Sequence, residues 1–182
     1  MNAQANNTND KVRELQRKLY LSAKANKRRR FHALYDKVSR YDILQEAWLR
    51  VRANRGVGGI DQMSLKDVEE YGVFRMLVEI KESLEKGRYH PSPVRRVYIP
   101  KKDGGKRPLG IPTVKDRIVQ MATKIVIEPI FEADFRPCSY GFRPKRSAHQ
   151  AIETIRQRCK DKGWWVLDAD IKGYFDSINH DK

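Results

Sequence analysis

Two aspartates close to the C-terminal end of the sequence have the right type and spacing to bind a divalent cation. Asp168 and Asp170 follow the apolar run Trp164–Leu167, which predicts a β-strand over residues 164–171. Side chains alternate across a strand, so both carboxylates would lie on the same face. Mg²⁺ prefers carboxylate and phosphate oxygens, but an isolated pair of this kind is more often a capping or solvent-facing pair. The pattern therefore indicates a Mg²⁺ ligand and leaves the structural alternative open.

An excess of positive charge is the second feature that indicates a function. The 182 residues include 38 Lys and Arg against 23 Asp and Glu, which gives a formal net charge of +15. The charge is concentrated in residues 11–30 and again in residues 95–117. Nucleic acid, an anionic membrane surface or acidic proteins could each be the partner, and several basic runs beside ordered apolar segments favour nucleic acid.

Other features of the composition narrow the class of protein. No apolar run approaches the roughly 18 residues of a membrane span, and the first ten residues lack the apolar stretch of a secretory signal. Cys138 and Cys159 form neither a disulfide framework nor a zinc pattern. These features predict a soluble cytoplasmic protein that makes no contact with a membrane.

Hydrophobic periodicity predicts a mostly helical chain after nine disordered residues. Ser64 with Asp67, and Thr113 with Asp116, have the spacing of helix N-terminal caps, and Ser147 is a third cap. Helices are predicted from Asp10 onward and over residues 40–53, 64–86, 113–133 and 147–161. The buried faces predicted for the first two helices consist of Val12, Leu15, Leu19 and Ala23, and of Ile43, Leu44, Ala47, Trp48 and Val51.

A basic β-hairpin is predicted in the middle of the chain. Short extended runs over residues 94–99 and 109–111 flank Asp103-Gly104, a pair that favours a tight turn because it tolerates positive φ. The glycine-rich stretch 56–59 lacks the GxxxxGK[ST] spacing and follows no strand, so it is not a phosphate-binding loop of that type.

Three ordered blocks of sequence resemble the reverse transcriptases of bacterial group II introns, which are also called intron-encoded maturases. The blocks are Ile99–Arg117 (IPKKDGGKRPLGIPTVKDR), Cys138–Pro144 (CSYGFRP) and Asp170–Asp176 (DIKGYFD). Gly58–Asp61 also looks like the N-terminal extension motif of this family, so the resemblance runs from about Tyr41 to the last residue.

The resemblance implies an α+β fold in which the chain forms the fingers of a right-hand polymerase and the first strand of its palm sheet. The fingers would be mostly helical and would include the basic hairpin. The expected domains are a basic N-terminal segment over 1–39, partly disordered and then helical, fingers over 40–163, and an incomplete palm over 164–182.

The resemblance also implies roles for individual residues. Asp170 matches the first catalytic aspartate of the palm, which binds Mg²⁺ together with the main-chain carbonyl of Ile171. Phe175 matches the aromatic residue under the incoming sugar that favours dNTPs, a role compatible with that of a buried core aromatic. The residues expected to grip the triphosphate are Lys101 or Lys102 and Arg107. Of the residues expected to contact RNA, Arg143 and Ser147 match the family's template loop, whereas Lys27, Arg28, Arg29, Arg30 and the hairpin residue Lys106 are expected to do so because they lie in basic runs.

Two structural alternatives apply to these cations. The hairpin cations could make generic contacts with a phosphate backbone, and Arg143 could tie its loop to a carboxylate.

The activity implied by the resemblance is Mg²⁺-dependent, RNA-directed DNA synthesis in intron splicing and mobility. The partners would be intron and template RNA, a DNA primer and dNTPs. The family takes further metal ligands from a later Asp-Asp motif, and the sequence contains no Asp-Asp pair. We therefore expect an N-terminal fragment that binds RNA without polymerising and that self-associates as a homodimer through its truncated palm. The alternatives are a non-catalytic RNA-binding module and a reverse transcriptase of a defence-associated or diversity-generating lineage.

Overall fold

The computed structural model describes residues 2–102, 104–162, 165–174 and 177–179, with side chains from residue 9 onward except those of 161 and 162. The chain divides into two compact units, Met1–Phe135 and Arg136–Lys182. Helices dominate the described residues, and the sheet found there has two antiparallel strands. The predicted mixture of many helices with one hairpin is therefore confirmed.

The elements of the first unit are, in chain order, α1 (Asn2–Ala25), α2 (Tyr35–Val38), α3 (Tyr41–Ala53), α4 (Leu65–Tyr71), α5 (Val73–Glu85), β1 (Arg95–Pro100), β2 (Lys106–Ile111) and α6 (Val114–Glu132). The second unit contains α7 (Ala148–Lys162). No helix in the described parts of the chain is both long enough and apolar enough to span a lipid bilayer.

The core of the first unit lies where α3 and α6 pack together, with α1 and α5 against them. Ile118 and Ile125 of α6 and Leu77 of α5 are fully buried. The apolar face predicted for α3 is confirmed, since every member of it is buried: Ile43, Leu44, Ala47, Trp48 and Val51. Local periodicity was sufficient here because all five positions lie on one side of a single helix.

The N-terminal helix begins earlier than the sequence pattern predicts. The backbone of α1 is helical from Asn2, so the disorder expected over the first nine residues is not found over residues 2–9. The apolar stripe of α1 faces the core, with Val12, Leu19 and Ala23 buried and Leu15 packed against the cluster. Two side chains add polar links to α6 and its end: Gln16 Nε2 donates to Ile125 O at 3.0 Å, and Lys24 Nζ donates to Ala133 O at 3.2 Å.

The helix predicted over 64–86 is wrong as a single element, because Gly72 divides it into α4 and α5. The predicted cap at its start is confirmed: Ser64 Oγ accepts from Asp67 N at 3.2 Å, and Asp67 Oδ2 accepts from Ser64 N at 2.7 Å. Gly72 then has φ +103°, which a residue with a side chain adopts only under strain. The backbone therefore leaves the helical region at this residue and re-enters it at Val73.

The strand predicted over 164–171 is absent from the described residues of that segment. Residues 165–171 are exposed and belong to neither a helix nor a strand, while Trp164 lies outside the described residues. A strand requires a neighbour to receive its backbone hydrogen bonds, and the pairing found among the described residues is that of β1 with β2. The strand predicted from the apolar pattern is therefore not found over residues 165–171.

Candidate nucleic-acid interface

The predicted basic hairpin is present, although its second strand begins at Lys106 rather than Leu109 and Asp103 of the predicted turn lies outside the described residues. It presents four of the predicted site residues together. β1 and β2 pair antiparallel, with Arg95 opposite Ile111 and Pro100 opposite Lys106. Lys101 N donates to Gly105 O at 2.8 Å across the turn, where Gly104 has φ +80°. The four basic residues at this end of the hairpin are exposed: Lys101, Lys102, Lys106 and Arg107.

The register divides the hairpin into two faces. Side chains alternate along each strand, and directly paired residues share a face. The Arg107 face consists of Arg95, Val97, Ile99, Arg107, Leu109 and Ile111. The Tyr98 face consists of Arg96, Tyr98, Pro100, Lys106, Pro108 and Gly110. Lys106 and Arg107, adjacent in sequence, therefore point to opposite sides.

Among the described side chains, the hairpin cations form no ion pair, whereas several cations of the helices do. On α3 and α5, Arg50 pairs with Glu46 at 2.8 Å, and Lys81 pairs with Glu85 at 2.7 Å. Within the described residues, no ion pair joins a carboxylate to the four hairpin cations named above. No described carboxylate is therefore ion-paired with these cations in competition with an external anion.

A buried carboxylate holds the base of the hairpin, where the chain enters β1 and leaves β2. Asp116, at the start of α6, is 2% exposed. Its Oδ1 accepts from Tyr89 Oη at 2.6 Å, and its Oδ2 accepts from Ser92 N at 3.1 Å and from Thr113 Oγ1 at 2.7 Å. Tyr89 and Ser92 precede β1, whereas Thr113 follows β2 and also caps α6 by accepting from Asp116 N at 3.1 Å. We call these four residues the Asp116 clamp.

The glycine-rich loop packs against the same end of α6. A Cβ on Gly59 would lie 2.6 Å from the main-chain nitrogen of Thr113, so this close approach requires glycine. Arg117 Nη2 donates to Val57 O at 2.5 Å. Burial lowers the pKa of the Arg117 guanidinium, and the nearby Asp61 carboxylate acts in the opposite direction. The loop that resembles the N-terminal extension motif is thus attached to the residues that end the hairpin.

In the second unit, Arg143 and Ser147 organise a loop and a helix start. Arg143 is 9% exposed, and its Nη1 donates to Arg136 O and to Ser139 O, both at 2.7 Å. Ser147 Oγ accepts from Gln150 N at 3.3 Å, and Ser147 N donates to Gln150 Oε1 at 3.0 Å, so the predicted cap is confirmed. Both of these acceptors are main-chain carbonyls. The contacts of Arg143 and Ser147 with RNA stay predictions.

The remaining predicted site residues are not brought together in the described parts of the chain. Lys27–Arg30 are exposed in the connection between α1 and α2, with the Arg29 guanidinium 5.5 Å from the ring centre of Phe31. Asp170 is exposed, and its Oδ1 accepts from Ile171 N at 2.9 Å. Phe175 and Asp176 lie outside the described residues.

The described residues do not assemble a Mg²⁺ site. Among them, no three His, Cys, Asp or Glu side chains are grouped so that they could hold a metal ion. Asp168 and Asp170 lie on an exposed segment without a strand, so the common face expected for them is not established by a sheet. One carboxylate and a neighbouring carbonyl are too few ligands for a cation that prefers six oxygen donors.

Sequence reasoning found half of the Asp116 clamp. The spacing of Thr113 and Asp116 predicted a cap, which the structure confirms. Nothing in the sequence indicated Tyr89 and Ser92 as partners, because they lie 27 and 24 residues from Asp116. Arg95 was also missed: its Nε is buried, and no hydrogen-bond partner for it is found in the described structure.

Comparison with known proteins identifies the family of the chain. Residues 99–182, which include β2, α6 and α7, match the family described as reverse transcriptase (RNA-dependent DNA polymerase). Protein YkfC of Escherichia coli is 39% identical over 178 residues, which cover 93% of this chain and 46% of that protein. The group II intron-encoded protein LtrA of Lactococcus lactis is 42% identical over 153 residues, which cover 82% of this chain and 25% of LtrA.

These relatives also identify the lineage. An uncharacterized 91 kDa protein in the cob intron of Schizosaccharomyces pombe is 45% identical over 148 residues, which cover 78% of this chain and 17% of that protein. The predicted family is confirmed: the chain belongs with the group II intron-encoded reverse transcriptases and maturases. It spans less than half the length of each of these relatives.

Replacing Asp116 by Asn tests the clamp. The amide nitrogen would face a hydrogen-bond donor at one of the two carboxylate positions, and we expect a loss of about 1–3 kcal/mol in the free energy of unfolding. Urea denaturation measures this loss, and hydrogen exchange should be faster in the hairpin amides. Asp10→Asn, at an exposed position on α1, is the matched control and should change stability by less than about 0.5 kcal/mol. Unchanged stability and exchange in Asp116→Asn would contradict the clamp.

The pKa of Tyr89 predicts a response to alkaline pH. Burial and the hydrogen bond to Asp116 raise the pKa of the phenol in the folded chain. The resulting stabilisation is complete below about pH 10, the ordinary pKa of tyrosine, and is lost as the pH rises towards the folded value. The stability advantage of the native chain over Tyr89→Phe should therefore shrink between pH 9 and pH 11 in urea titrations (about two pH units spanning that pKa). A constant difference over this range would show that Tyr89 ionises equally in both states.

Proposed function

We propose that the chain forms the fingers of a right-hand, RNA-directed DNA polymerase encoded by a group II intron, together with the start of its palm. The proposed domains are a basic N-terminal segment over 1–39, fingers over 40–163 and palm from 164. The parent enzyme would copy RNA into DNA and would support intron splicing and mobility in the cytoplasm. The observation that carries the proposal is the turn end of the hairpin, whose cations lie within the family match and face solvent without carboxylate partners in the described residues.

The Arg107 face is the proposed site for the triphosphate of a dNTP. Lys101 N continues the ladder by its bond to Gly105 O, so strand alternation carries the Lys101 side chain to the face of Ile99 and Arg107. Diagonal neighbours on a sheet lie about 7–8 Å apart, a span that a polyphosphate can bridge. A lysine supplies a point charge and an arginine a planar pair of donors, and both suit phosphate oxygens.

Two further features support an anion at this face. Arg95 lies on it near the base of the hairpin and adds positive charge to this face. The Asp116 clamp fixes the base of the hairpin, where the chain enters β1 and leaves β2, so the hairpin as a whole needs little reorganisation on binding. Lys102, in the turn, would add to the local positive potential.

Asp170 is the proposed catalytic residue, and the carbonyl of Ile171 is its proposed co-ligand for Mg²⁺. The described residues do not complete that site. What this chain can do by itself is bind RNA and orient phosphates. Phe175 is the proposed selector of the deoxyribose sugar, and Arg143 and Ser147 would position the template loop. Trp165, Val166 and Leu167, all more than 85% exposed, support self-association through this segment.

A non-catalytic RNA-binding module is the second candidate function. It is favoured by the exposure of Lys27–Arg30, whose basic side chains could bind an intron RNA without any contribution from Asp170. Both candidates predict RNA binding, and they differ in the element that dominates it.

Neutralising the hairpin cations tests the leading candidate. Changing Lys101, Lys102, Lys106 and Arg107 to Gln removes four phosphate contacts, so the slope of log K against log salt should fall by about three. Affinity for a fluorescein-labelled single-stranded RNA, measured by anisotropy, should fall at least about tenfold.

The control removes the same number of charges where they are already paired. It changes Arg50, Arg75, Lys81 and Lys86 to Gln, each of which forms an i,i+4 ion pair. The affinity of this control for the same RNA should stay within about threefold of that of the native chain, since paired cations contribute less to counterion release. Equal losses in the two variants would refute the hairpin as the principal contact, and a dominant loss on reversing Lys27–Arg30 would favour the second candidate.

The isolated chain should bind RNA without extending a primer. The sequence has no Asp-Asp pair, and the described residues hold no group of three metal ligands. In a template-primer assay with Mg²⁺ and dNTPs we expect no product above background, and Asp170→Ala should leave RNA affinity unchanged. Robust extension by the 182-residue chain, or loss of RNA binding in Asp170→Ala, would overturn the role given to Asp170.

A further inference from the structure

The Tyr98 face of the hairpin has a composition unlike that of the Arg107 face. Tyr98 is 57% exposed, and Arg96 and Lys106 on the same face are also exposed. Neither strand contains an acidic residue. The face therefore presents an aromatic ring among cations, with no carboxylate from either strand to compete for them.

The geometry of this face leaves the ring of Tyr98 accessible. The residue opposite Tyr98 is Pro108, whose side chain is short and rigid. Arg96 lies two residues away along the same strand, about 6.7 Å at the rise of a β-strand, and Lys106 is a diagonal neighbour on the other strand. The ring is thus flanked by a cation on each strand.

The strand edges argue against a peptide as the occupant. A peptide that adds to a sheet needs free backbone donors on the edge strand. Pro100 in β1 and Pro108 in β2 have no N–H, and prolines on edge strands block such pairing. The positive charge of this face instead complements a polyanion.

Single-stranded nucleic acid has the chemistry that this face can recognise. Its bases expose π-faces that stack on aromatic side chains, while basic residues beside the ring contact the phosphates. A duplex keeps its bases stacked on one another and offers no such face.

We propose that the Tyr98 face binds single-stranded RNA, with Tyr98 stacking on a base and Arg96 and Lys106 contacting phosphates. This proposal rests on the proposed function, because the chain must bind RNA. It concerns the side of the hairpin opposite to the Arg107 face.

Two substitutions at Tyr98 test the stacking contact in the full 182-residue chain. The probe is a fluorescein-labelled uridine 12-mer, followed by anisotropy (a length of about 12 nucleotides lies within the range bound by single-strand platforms). Tyr98→Leu keeps an apolar side chain but removes the ring, and its affinity should fall at least about fivefold. Tyr98→Phe keeps the ring and should bind within about twofold of the native chain. Val97→Leu, on the opposite face, is the matched control and should also bind within about twofold.

Further arms of the experiment separate stacking from charge. Arg96→Gln and Lys106→Gln should each lower the salt slope by about 0.7, the value for a phosphate of a single strand. Tyr98→Leu should leave the affinity for an RNA duplex and for a heparin fragment unchanged, because neither offers a free base. Tyr98→Trp provides a second test if Tyr98→Leu does not fold. Its tryptophan fluorescence should be quenched when the uridine 12-mer is added.

Each outcome decides one proposal. Native affinity in Tyr98→Leu, an equal loss with heparin, or no quenching in Tyr98→Trp would overturn the Tyr98 face while the proposed function stands. Failure of the native chain to bind any RNA would overturn the proposed function itself.

Discussion

Asp116 accepts hydrogen bonds from Tyr89 and Ser92 before the basic hairpin and from Thr113 after it, and the position of the hairpin depends on these bonds. A two-stranded hairpin is marginally stable by itself, and most residues of β1 and β2 are exposed, so packing contributes little to holding it. A carboxylate that is 2% exposed is tolerated because donors surround it. Removing any of these donors would weaken the attachment of the base of the hairpin to α6.

The distribution of charge follows from the same arrangement. Several cations on the helices are paired with a carboxylate within one turn, as in Arg50 with Glu46 and Lys81 with Glu85. The hairpin carries its cations on an extended ribbon clamped at its base. Its two faces then present them in different settings, with Arg95 and Arg107 among aliphatic residues on one side and Tyr98 between Arg96 and Lys106 on the other. One short element can thus offer two different sites for phosphates.

The features that could be predicted from the sequence are those encoded within a few residues. The buried face of α3, the caps at Ser64, Thr113 and Ser147, and the turn after Lys102 each depend on neighbours in the chain. The interruption at Gly72 was missed because a single glycine is tolerated in a helical pattern. The strand expected over 164–171 requires a partner that the pattern could not supply. The clamp and the two hairpin faces depend on register and on contacts 24 or more residues apart, which one sequence does not reveal.

Hydrogen exchange with and without single-stranded RNA, followed by mass spectrometry, tests the central claim most directly. If the clamped hairpin is the principal nucleic-acid contact, peptides covering residues 95–111 should gain protection on binding, more than those of any helix in the first unit. Protection confined to α3, α4 and α5, with exchange in the hairpin unchanged, would contradict the account.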